Sequence, residues 1–332
     1  MIQIPPDAWV MNRALRLAEK GRGWTEPNPM VGAILMKDGK RIGEGYHTKY
    51  GAAHAEVEAL RDCEAKGLDP RGATLYVTLE PCCHHGKTPP CVEAVLASGI
   101  ERMVVAAEDP NPKVAGKGLA RLREAGVVVE VGLLEKQARE LNRFFYHFHE
   151  TGCPWVTLKA ALSLDGKIAV KRGEQCWLTG AAAKRYVHGL RHEHQAILVG
   201  AGTVLADDPH LGVREVPGRD PLRVILKDDR PLPSALQIFR DENVLVLEEN
   251  SIKKILKVLA EQNVHSLLVE GGQKIFTAFV KAKAVDEVQL LMAPVFLGQK
   301  ALDFLDEDLP FTLEEVTHKK LGPDLLLKGR IQ

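Results

Sequence analysis

Three side chains that could bind a metal lie within one stretch of the sequence. His54 precedes a predicted helix, and Cys82 and Cys91 follow a predicted strand. Imidazole and thiolate groups are ligands that zinc prefers, and three protein ligands leave the fourth tetrahedral position open for water. Zinc lowers the pKa of such a water to about 7, which makes hydroxide available at neutral pH. The residues therefore predict one catalytic zinc ion per chain.

Glu56 follows His54 by two residues, in the order His54-Ala55-Glu56. A carboxylate at this position that does not bind the metal can transfer protons between the water, a ring nitrogen and a leaving amine. His-x-Glu followed by Pro-Cys and a second Cys is the pattern of zinc-dependent base deaminases. We therefore predict hydrolytic deamination, with Glu56 as the acid/base.

Other interpretations of this stretch stay open from the residues alone. Cys83, His84 and His85 are additional possible ligands, so a closed zinc knuckle or a loop without metal would also fit. The usual deaminase pattern is Pro-Cys-x-x-Cys, whereas eight residues separate Cys82 from Cys91. The longer loop is typical of a substrate-specific insertion.

The composition is that of an ordinary globular protein with about two domains. The 332 residues are 45% hydrophobic and 27% charged, and the net charge of zero gives no reason to expect a nucleic-acid partner. No apolar run approaches the roughly 18 residues of a membrane span, and the N-terminus lacks the regions of a signal peptide. Six cysteines are few for this length, so we expect a reduced, cytoplasmic protein. We also expect a homo-oligomer.

Strands alternate with helices along both halves of the chain, which predicts an α/β fold. In the first half, Asp38-Gly39 is expected to join a β-hairpin, and Asp7 to cap a helix with Trp9, Ala14, Leu15 and Ala18 on one apolar face. A helix over Gln137–Glu150 ends at Thr151-Gly152-Cys153-Pro154. We place a domain boundary there, giving domains over residues 1–150 and 151–332.

Two glycine-rich segments follow strands in the second half: Gly200-Ala201-Gly202-Thr203 and Glu270-Gly271-Gly272-Gln273. Glycine lets backbone amides approach a phosphate, and a helix N-terminus favours the anion. Neither segment is a complete Rossmann fingerprint, and each alone also fits a tight turn. Two such segments in one domain predict a nucleotide site.

Two further residues have two interpretations each. Asn28 lies between prolines, so its amide is either free to face a ligand or part of a simple turn. Trp177 would either stack on a ring or fill the core, and burial is the expectation for an isolated tryptophan.

Longer motifs resemble one known family, the bifunctional bacterial riboflavin-biosynthesis deaminase/reductases, over essentially the full chain. In the first half these are Pro27-Asn28-Pro29, Val31-Gly32, His54-Ala55-Glu56, Thr78-Leu79-Glu80-Pro81-Cys82, the stretch from His84 to Cys91, and Asp109-Pro110-Asn111-Pro112. In the second half they are Ser163-Leu164-Asp165-Gly166, the stretch from Thr203 to Pro209, and Val269-Glu270-Gly271-Gly272. The long Cys82-to-Cys91 loop is itself a feature of that family.

The resemblance implies a fold and two consecutive reactions. A cytidine-deaminase-like domain would be followed by a dihydrofolate-reductase-like domain. The first would deaminate 2,5-diamino-6-(5-phosphoribosylamino)pyrimidin-4(3H)-one, and the second would reduce the ribosyl to a ribityl chain with NADPH. The expected ligands are thus zinc, NADPH and small pyrimidine ribotides.

The resemblance also implies residue roles. Deaminase-substrate contacts are expected from Asn28, His47, His84, Lys87 and Asn111. NADPH contacts are expected from Ala161, Trp177, Thr203, Asp207 and the stretch from Gly272. Reductase-substrate contacts are expected from Gln175, Arg191, Leu211, Arg214 and Glu270. Lys87 and the two arginines suit phosphate groups.

Three positions depart from the family pattern. Cys83 replaces a common Ser, Gln175 a small polar residue, and Lys227-Asp228 a usual Asp-Ser pair. Two alternative functions are a tRNA or nucleotide deaminase with an unrelated second domain, and a zinc-stabilised nucleic-acid-binding module. The neutral charge and the presence of Glu56 argue against the second of these.

Overall fold

The computed structural model describes residues 6–83, 90–112 and 114–332. The chain divides into two compact units, Met1–Gly152 and Cys153–Gln332. Among the described residues, none of the helices has the length and apolar character needed to cross a membrane.

The first unit contains a five-stranded sheet with helices on both faces. Its helices are α1 (Asp7–Ala18), α2 (Ala55–Ala65), α3 (Cys91–Ala97), α4 (Lys117–Glu124), α5 (Glu135–Leu141) and α6 (Arg143–Thr151). Its strands are β1 (Gly32–Lys37), β2 (Lys40–Tyr46), β3 (Thr74–Val77), β4 (Arg102–Val105) and β5 (Val128–Val131). The strand order is β2-β1-β3-β4-β5, and β3, β4 and β5 run parallel.

The strands of this sheet bury side chains on both faces, because successive residues of a strand point to opposite sides. On β1, Leu35 belongs to a core with residues of α2, α3 and α4, whereas Ile34 belongs to a second core with residues of α1. The predicted hairpin at Asp38-Gly39 is confirmed, and both residues have the positive φ that such tight turns favour.

Three local predictions for this unit are wrong. Asp7 does not cap α1; its carboxylate accepts a hydrogen bond from Tyr76 Oη and pairs with Arg102. Trp9 is about half exposed, because α1 buries the face that contains Val10 and Met11. The single helix over Gln137–Glu150 is two helices, broken at Asn142.

The second unit contains an eight-stranded sheet, again covered on both faces. The strands of this unit are β6 (Trp155–Leu162), β7 (Lys167–Ala169), β8 (Ala196–Gly200), β9 (Leu222–Leu226), β10 (Val244–Leu247), β11 (Ser266–Val269), β12 (Glu287–Met292), β13 (Leu302–Asp303), β14 (Leu313–Leu321) and β15 (Asp324–Ile331). Its helices are α7 (Ala181–Glu193), α8 (Ala201–Asp207), α9 (Ile252–Glu261) and α10 (Gln273–Lys281). The sheet order is β10-β9-β8-β11-β6-β12-β15-β14, and β7 pairs with β13 separately.

Six neighbouring strands of this sheet, in the order β10-β9-β8-β11-β6-β12, run parallel, so their carboxyl ends lie along one edge of the sheet. One face packs against α9 and α10, and residues of α7 and α8 pack on the other. Strand β14 was missed by the sequence prediction. It is a mostly exposed edge strand with four charged residues, and it lacks the apolar alternation that identifies a half-buried strand.

The close packing of β2 against α2 gives a test of the first unit. A Cβ atom on Gly45 would lie 2.4 Å from the backbone nitrogen of Ala59. We expect Gly45→Ala to force α2 away from the sheet and to lower the free energy of unfolding by about 1–3 kcal/mol. Denaturation followed by circular dichroism measures the change. Gly189→Ala, where the added methyl enters open space, is the control and should not destabilise the protein; equal behaviour of the two variants would contradict this packing.

Candidate active sites

The three predicted zinc ligands meet in the first unit. Cys82 Sγ lies 3.5 Å from both His54 Nδ1 and Cys91 Sγ, and Cys91 Sγ lies 3.0 Å from His54 Nδ1. Within the part of the chain that the structure describes, this is the only group of three His, Cys, Asp or Glu side chains placed to share a metal ion.

Local structure explains this convergence. His54 is the extended residue that precedes α2, and Cys91 is the first residue of α3. Cys82 follows β3, and its thiol accepts a hydrogen bond from the Cys91 backbone amide at 3.3 Å. Two helix starts and one strand end thus point three donors at one position.

The donor set fits zinc. A tetrahedral ion with bonds of about 2.3 Å to sulfur and 2.0 Å to nitrogen requires donors about 3.6–3.8 Å apart. The two separations that involve Cys82, 3.5 Å each, are close to this range, and the separation of 3.0 Å between Cys91 and His54 is shorter. Hydrogen bonds from Cys91 and His54 hold the pKa of the Cys82 thiol well below its usual value, despite burial. This favours the thiolate that zinc binds.

Glu56 lies beside these donors and is almost completely buried. It is within hydrogen-bonding reach of the Cys91 thiol, and burial raises its pKa to about 7. A nearby cation would favour its charged form. A carboxyl group that titrates near neutral pH is suited to both accept and donate a proton.

Asn28 and His47, two predicted substrate contacts, lie together next to the metal ligands. The Asn28 side-chain amide lies 3.2 Å from His47 Nε2, and His47 Nδ1 donates to the Ala53 carbonyl oxygen at 3.0 Å. The His47 and His54 rings meet edge to face with centroids 5.3 Å apart. Because the Ala53 carbonyl fixes the proton on Nδ1, His47 Nε2 is an acceptor, and burial lowers the pKa of His47 and keeps it neutral.

Glu80 is a residue of this site that sequence reasoning did not single out. Its buried carboxylate accepts hydrogen bonds from four backbone amides, those of Asp109, Gly116, Gly118 and Leu119. These amides flank the loop that contains Asn111 and the start of α4. Glu80 thus ties the Asn111 loop to the strand end that carries Cys82. The acidic residue directly before Pro81-Cys82 was the signal in the sequence that could have indicated a role for Glu80.

Of the three remaining residues predicted to contact the deaminase substrate, the structure describes only Asn111. Asn111 lies in the loop after β4, and its backbone amide donates to Asp109 Oδ1 at 2.8 Å. His84 and Lys87 lie outside the described residues.

In the second unit, all ten residues predicted for the reductase line one cavity of about 1130 Å³. They are Ala161, Gln175, Trp177, Arg191, Thr203, Asp207, Leu211, Arg214, Glu270 and Gly272. This volume is slightly above the roughly 300–1,000 Å³ of typical ligand pockets. The cavity lies at the carboxyl edge of the parallel strands, where open α/β sheets bind ligands.

A buried ion-pair group lies in the wall of this cavity. Arg191 donates two hydrogen bonds to Glu270, at 2.8 and 3.0 Å, and Lys159 Nζ lies 3.2 Å from the same carboxylate. Burial opposes ionisation of Glu270, but the two cations hold its pKa well below the usual range. Lys159 was missed, although a lysine within an apolar strand was a visible signal.

The two arginines predicted for phosphate differ in their surroundings. Arg191 is paired with Glu270, whereas Arg214 has no carboxylate partner among residues 6–83, 90–112 and 114–332. The Arg214 backbone amide donates to His188 Nδ1 at 3.0 Å, and His188 also lines the cavity. Arg214 is therefore the more available cation for a phosphate.

Trp177 corrects one prediction. Its side chain is not in the core; it is 77% exposed and borders the cavity. The apolar core of this unit is filled by strand and helix residues, so the stacking alternative is the one that fits. Gln175, beside it, donates to the Asp207 carbonyl oxygen at 3.4 Å.

The glycine-rich strand ends allow a helix to pack directly behind the cavity. A Cβ on Gly271 would lie 2.9 Å from Val199 Cα, and one on Gly200 would lie 3.0 Å from the Ile275 side chain. The Gly272 amide lies 3.4 Å from Thr203 Oγ1 and also lines the cavity. The N-terminus of α10 therefore lies at the cavity, at a place where glycines let the backbone approach a phosphate.

The folds and sites define a class: a zinc-binding, cytidine-deaminase-like domain joined to a dihydrofolate-reductase-like domain with a nucleotide site. Residues 5–107 match the family model of the cytidine and deoxycytidylate deaminase zinc-binding region, and residues 154–327 match that of the RibD C-terminal domain. The chain belongs to the RibD family of bifunctional riboflavin-biosynthesis enzymes, which are both hydrolases and oxidoreductases.

Similar proteins support this assignment along nearly the whole chain. A riboflavin biosynthesis protein RibD from Bacillus amyloliquefaciens is 42% identical, with 97% of this chain and 95% of the relative covered. The structure of Acinetobacter baumannii RibD has a TM-score of 0.92 at 39% identity, covering 98% and 99% of the two chains. A deaminase/reductase structure from Thermotoga maritima has a TM-score of 0.89 at 40% identity, with 98% of each chain covered. The predicted fold class and family are confirmed, and an unrelated second domain is not favoured.

The Glu80 contacts predict a selective effect on deamination. Glu80→Gln replaces one acceptor oxygen by an amide group that cannot accept from the loop, and unsatisfied buried donors cost about 1–3 kcal/mol. We expect zinc to stay bound and the deaminase KM to rise about tenfold, because the Asn111 loop loses its anchor. Metal analysis and steady-state kinetics measure both, with the exposed Glu64→Gln as control. An unchanged KM would show that the loop is held by other contacts.

Proposed function

We propose that residues 1–150 form a deaminase domain for 2,5-diamino-6-(5-phosphoribosylamino)pyrimidin-4(3H)-one. Residues 151–332 form a domain that reduces the deaminated product with NADPH. The observation that supports this most directly is the separation of two sites, one in each compact unit. The first holds the donors His54, Cys82 and Cys91 with Glu56, and the second holds the reductase cavity. The Thermotoga maritima relative carries the corresponding deaminase and reductase names.

In the deaminase site, His54, Cys82 and Cys91 would hold zinc, which supplies an activated water when bound. Glu56 would transfer the two protons released by the attacking water, one to the pyrimidine ring nitrogen and one to the departing amine. Water and substrate thus give a ring carbonyl and ammonia. Asn28 and His47 offer an amide and an imidazole nitrogen for orienting the pyrimidine.

In the reductase site, the net change adds a hydride to C1′ of the ribosyl group, breaks its C1′–O4′ bond and protonates O4′. NADPH, when bound, would supply this hydride. Arg214 binds the ribose phosphate, and Lys159, Arg191 and Glu270 form the polar wall near the reacting sugar. Gly272 and Thr203 line the phosphate-binding part for the cofactor, and the exposed Trp177 ring borders the cavity.

Two substitutions in the full-length protein test whether the sites are separate. Glu56→Gln should retain zinc and lose deamination by at least ~100-fold, since an amide cannot transfer the protons. Reduction of supplied deaminated intermediate should stay near normal. Asp207→Ala, in the cavity of the second unit, should impair reduction and spare deamination. Metal content and the two separate assays provide the measurements. A folded variant that has lost both activities would contradict the two-site proposal.

The cofactor preference is a separate expectation. We expect kcat/KM for reduction to be at least ~10-fold higher with NADPH than with NADH, because a charge-assisted contact to the additional phosphate is worth about 1.5–3 kcal/mol. Steady-state kinetics with each cofactor and fixed deaminated substrate measure the ratio. Equal values, or a preference for NADH, would remove NADPH from the proposal.

A further inference from the structure

Arg230 is a cation of the reductase cavity that has no assigned role. It lies in the loop that follows β9 and lines the cavity with its side chain about half exposed. Its Nη2 would be 3.3 Å from a Cβ atom built on Gly202. The guanidinium group therefore reaches over the glycine-rich end of β8.

The sheet order shows which end of a dinucleotide would reach Arg230. The substrate wall is formed by Lys159 on β6 and Glu270 at the end of β11, and β8 lies on the other side of β11 from β6. Strand β9, which leads to Arg230, is one strand further from β6. The nicotinamide must lie at the substrate wall, and the phosphates suit the glycine-rich ends of β8 and β11. The adenosine half then extends towards β9.

A short-range contact fixes the direction of the Arg230 side chain. Arg230 Nε donates to both Asp228 carboxylate oxygens, at 3.0 and 3.1 Å, and Nη2 donates to Oδ2 at 2.5 Å. A guanidinium group has five N–H donors, so this pair leaves Nη1 available. An acidic residue near this place in dinucleotide sites often accepts from the ribose 2′-hydroxyl, whereas an arginine accommodates a 2′-phosphate. Here the acidic residue is already paired with the arginine.

The neighbouring lysines are less suitable for the same role. Lys227 Nζ lies 2.5 Å from Glu248, at the end of β10. Lys274 is the second residue of α10, at the glycine-rich end where the shared phosphates of both cofactors would lie. Arg230 is thus the cation that enters the cavity from the β9 side, and its guanidinium group reaches back over Gly202 at the end of β8.

We propose that Arg230, oriented by Asp228, binds the 2′-phosphate of NADPH and makes the reductase site select NADPH over NADH. This inference rests on the proposed reductase function and names its specificity-determining residue.

Direct binding of NADP⁺ and NAD⁺ tests the inference without relying on turnover. Measured by isothermal titration calorimetry, Arg230→Gln should weaken the binding of NADP⁺ by about 10–100-fold, as expected for loss of a charge-assisted contact of about 1.5–3 kcal/mol. The affinity for NAD⁺ should stay within about twofold of that of the unmodified protein. Arg230→Lys keeps the positive charge but not the planar guanidinium group. Its affinity for NADP⁺ should lie between those of the unmodified protein and Arg230→Gln. Arg185→Gln, an exposed residue outside the cavity, is the matched control and should change neither.

The outcomes separate this inference from the proposed function. If Arg230→Gln weakened the binding of both nucleotides equally, Arg230 would contact a phosphate that they share. If it changed neither affinity, Arg230 would not be part of the site. Either result overturns the inference while leaving an NADPH reductase possible. Failure of the unmodified protein to bind NADP⁺ at all would overturn the proposed cofactor and the inference with it. An unchanged circular dichroism spectrum and thermal unfolding curve for each variant show that the second unit has folded.

Discussion

Both sites of this protein depend on one constraint, the parallel arrangement of strands whose carboxyl ends lie at the same edge of a sheet. In the first unit, β3 leads to Cys82 and β4 leads to the Asn111 loop. In the second, β8 and β11 lead to the two glycine-rich segments. Parallel strands need long connections, so residues far apart in sequence arrive side by side, and the helices that follow offer their N-termini to the same place.

Each site also has a buried carboxylate near the end of a strand: Glu270 directly follows β11, and Glu80 lies three residues beyond β3. Glu80 and Glu270 are both almost excluded from solvent, and an uncompensated charge there would be costly. The structure compensates them differently. Glu80 is surrounded by backbone amides, which makes it a fixed anchor for a loop. Glu270 is compensated by Arg191 and Lys159 at a cavity wall, where its neighbours can also meet a ligand.

Local neutralisation of charge recurs at the cofactor end of the cavity. Taken alone, the carboxylate of Asp228 in the loop after β9 would argue against binding a phosphate there. The structure shows Asp228 paired with Arg230, so its negative charge is matched by a neighbouring cation. A residue that looks unfavourable in the sequence is compensated two residues later.

The sequence by itself determined the chemistry of the metal site and the class of the fold. His54, Glu56, Cys82 and Cys91 are chemically specific, and alternating strands and helices are a local, periodic signal. The family resemblance similarly indicated ten residues of the second unit, and all ten are among those that line the reductase cavity.

Only the tertiary structure decided which groups are partners. The exposure of Trp177 and the break at Asn142 depend on packing with distant residues, which no local pattern reports. Glu80 meets amides about 30 or more positions away, and Lys159 meets a carboxylate 111 positions away. Residue type gives the charge and hydrogen-bonding capacity of such groups, but the sheet order determines what compensates them.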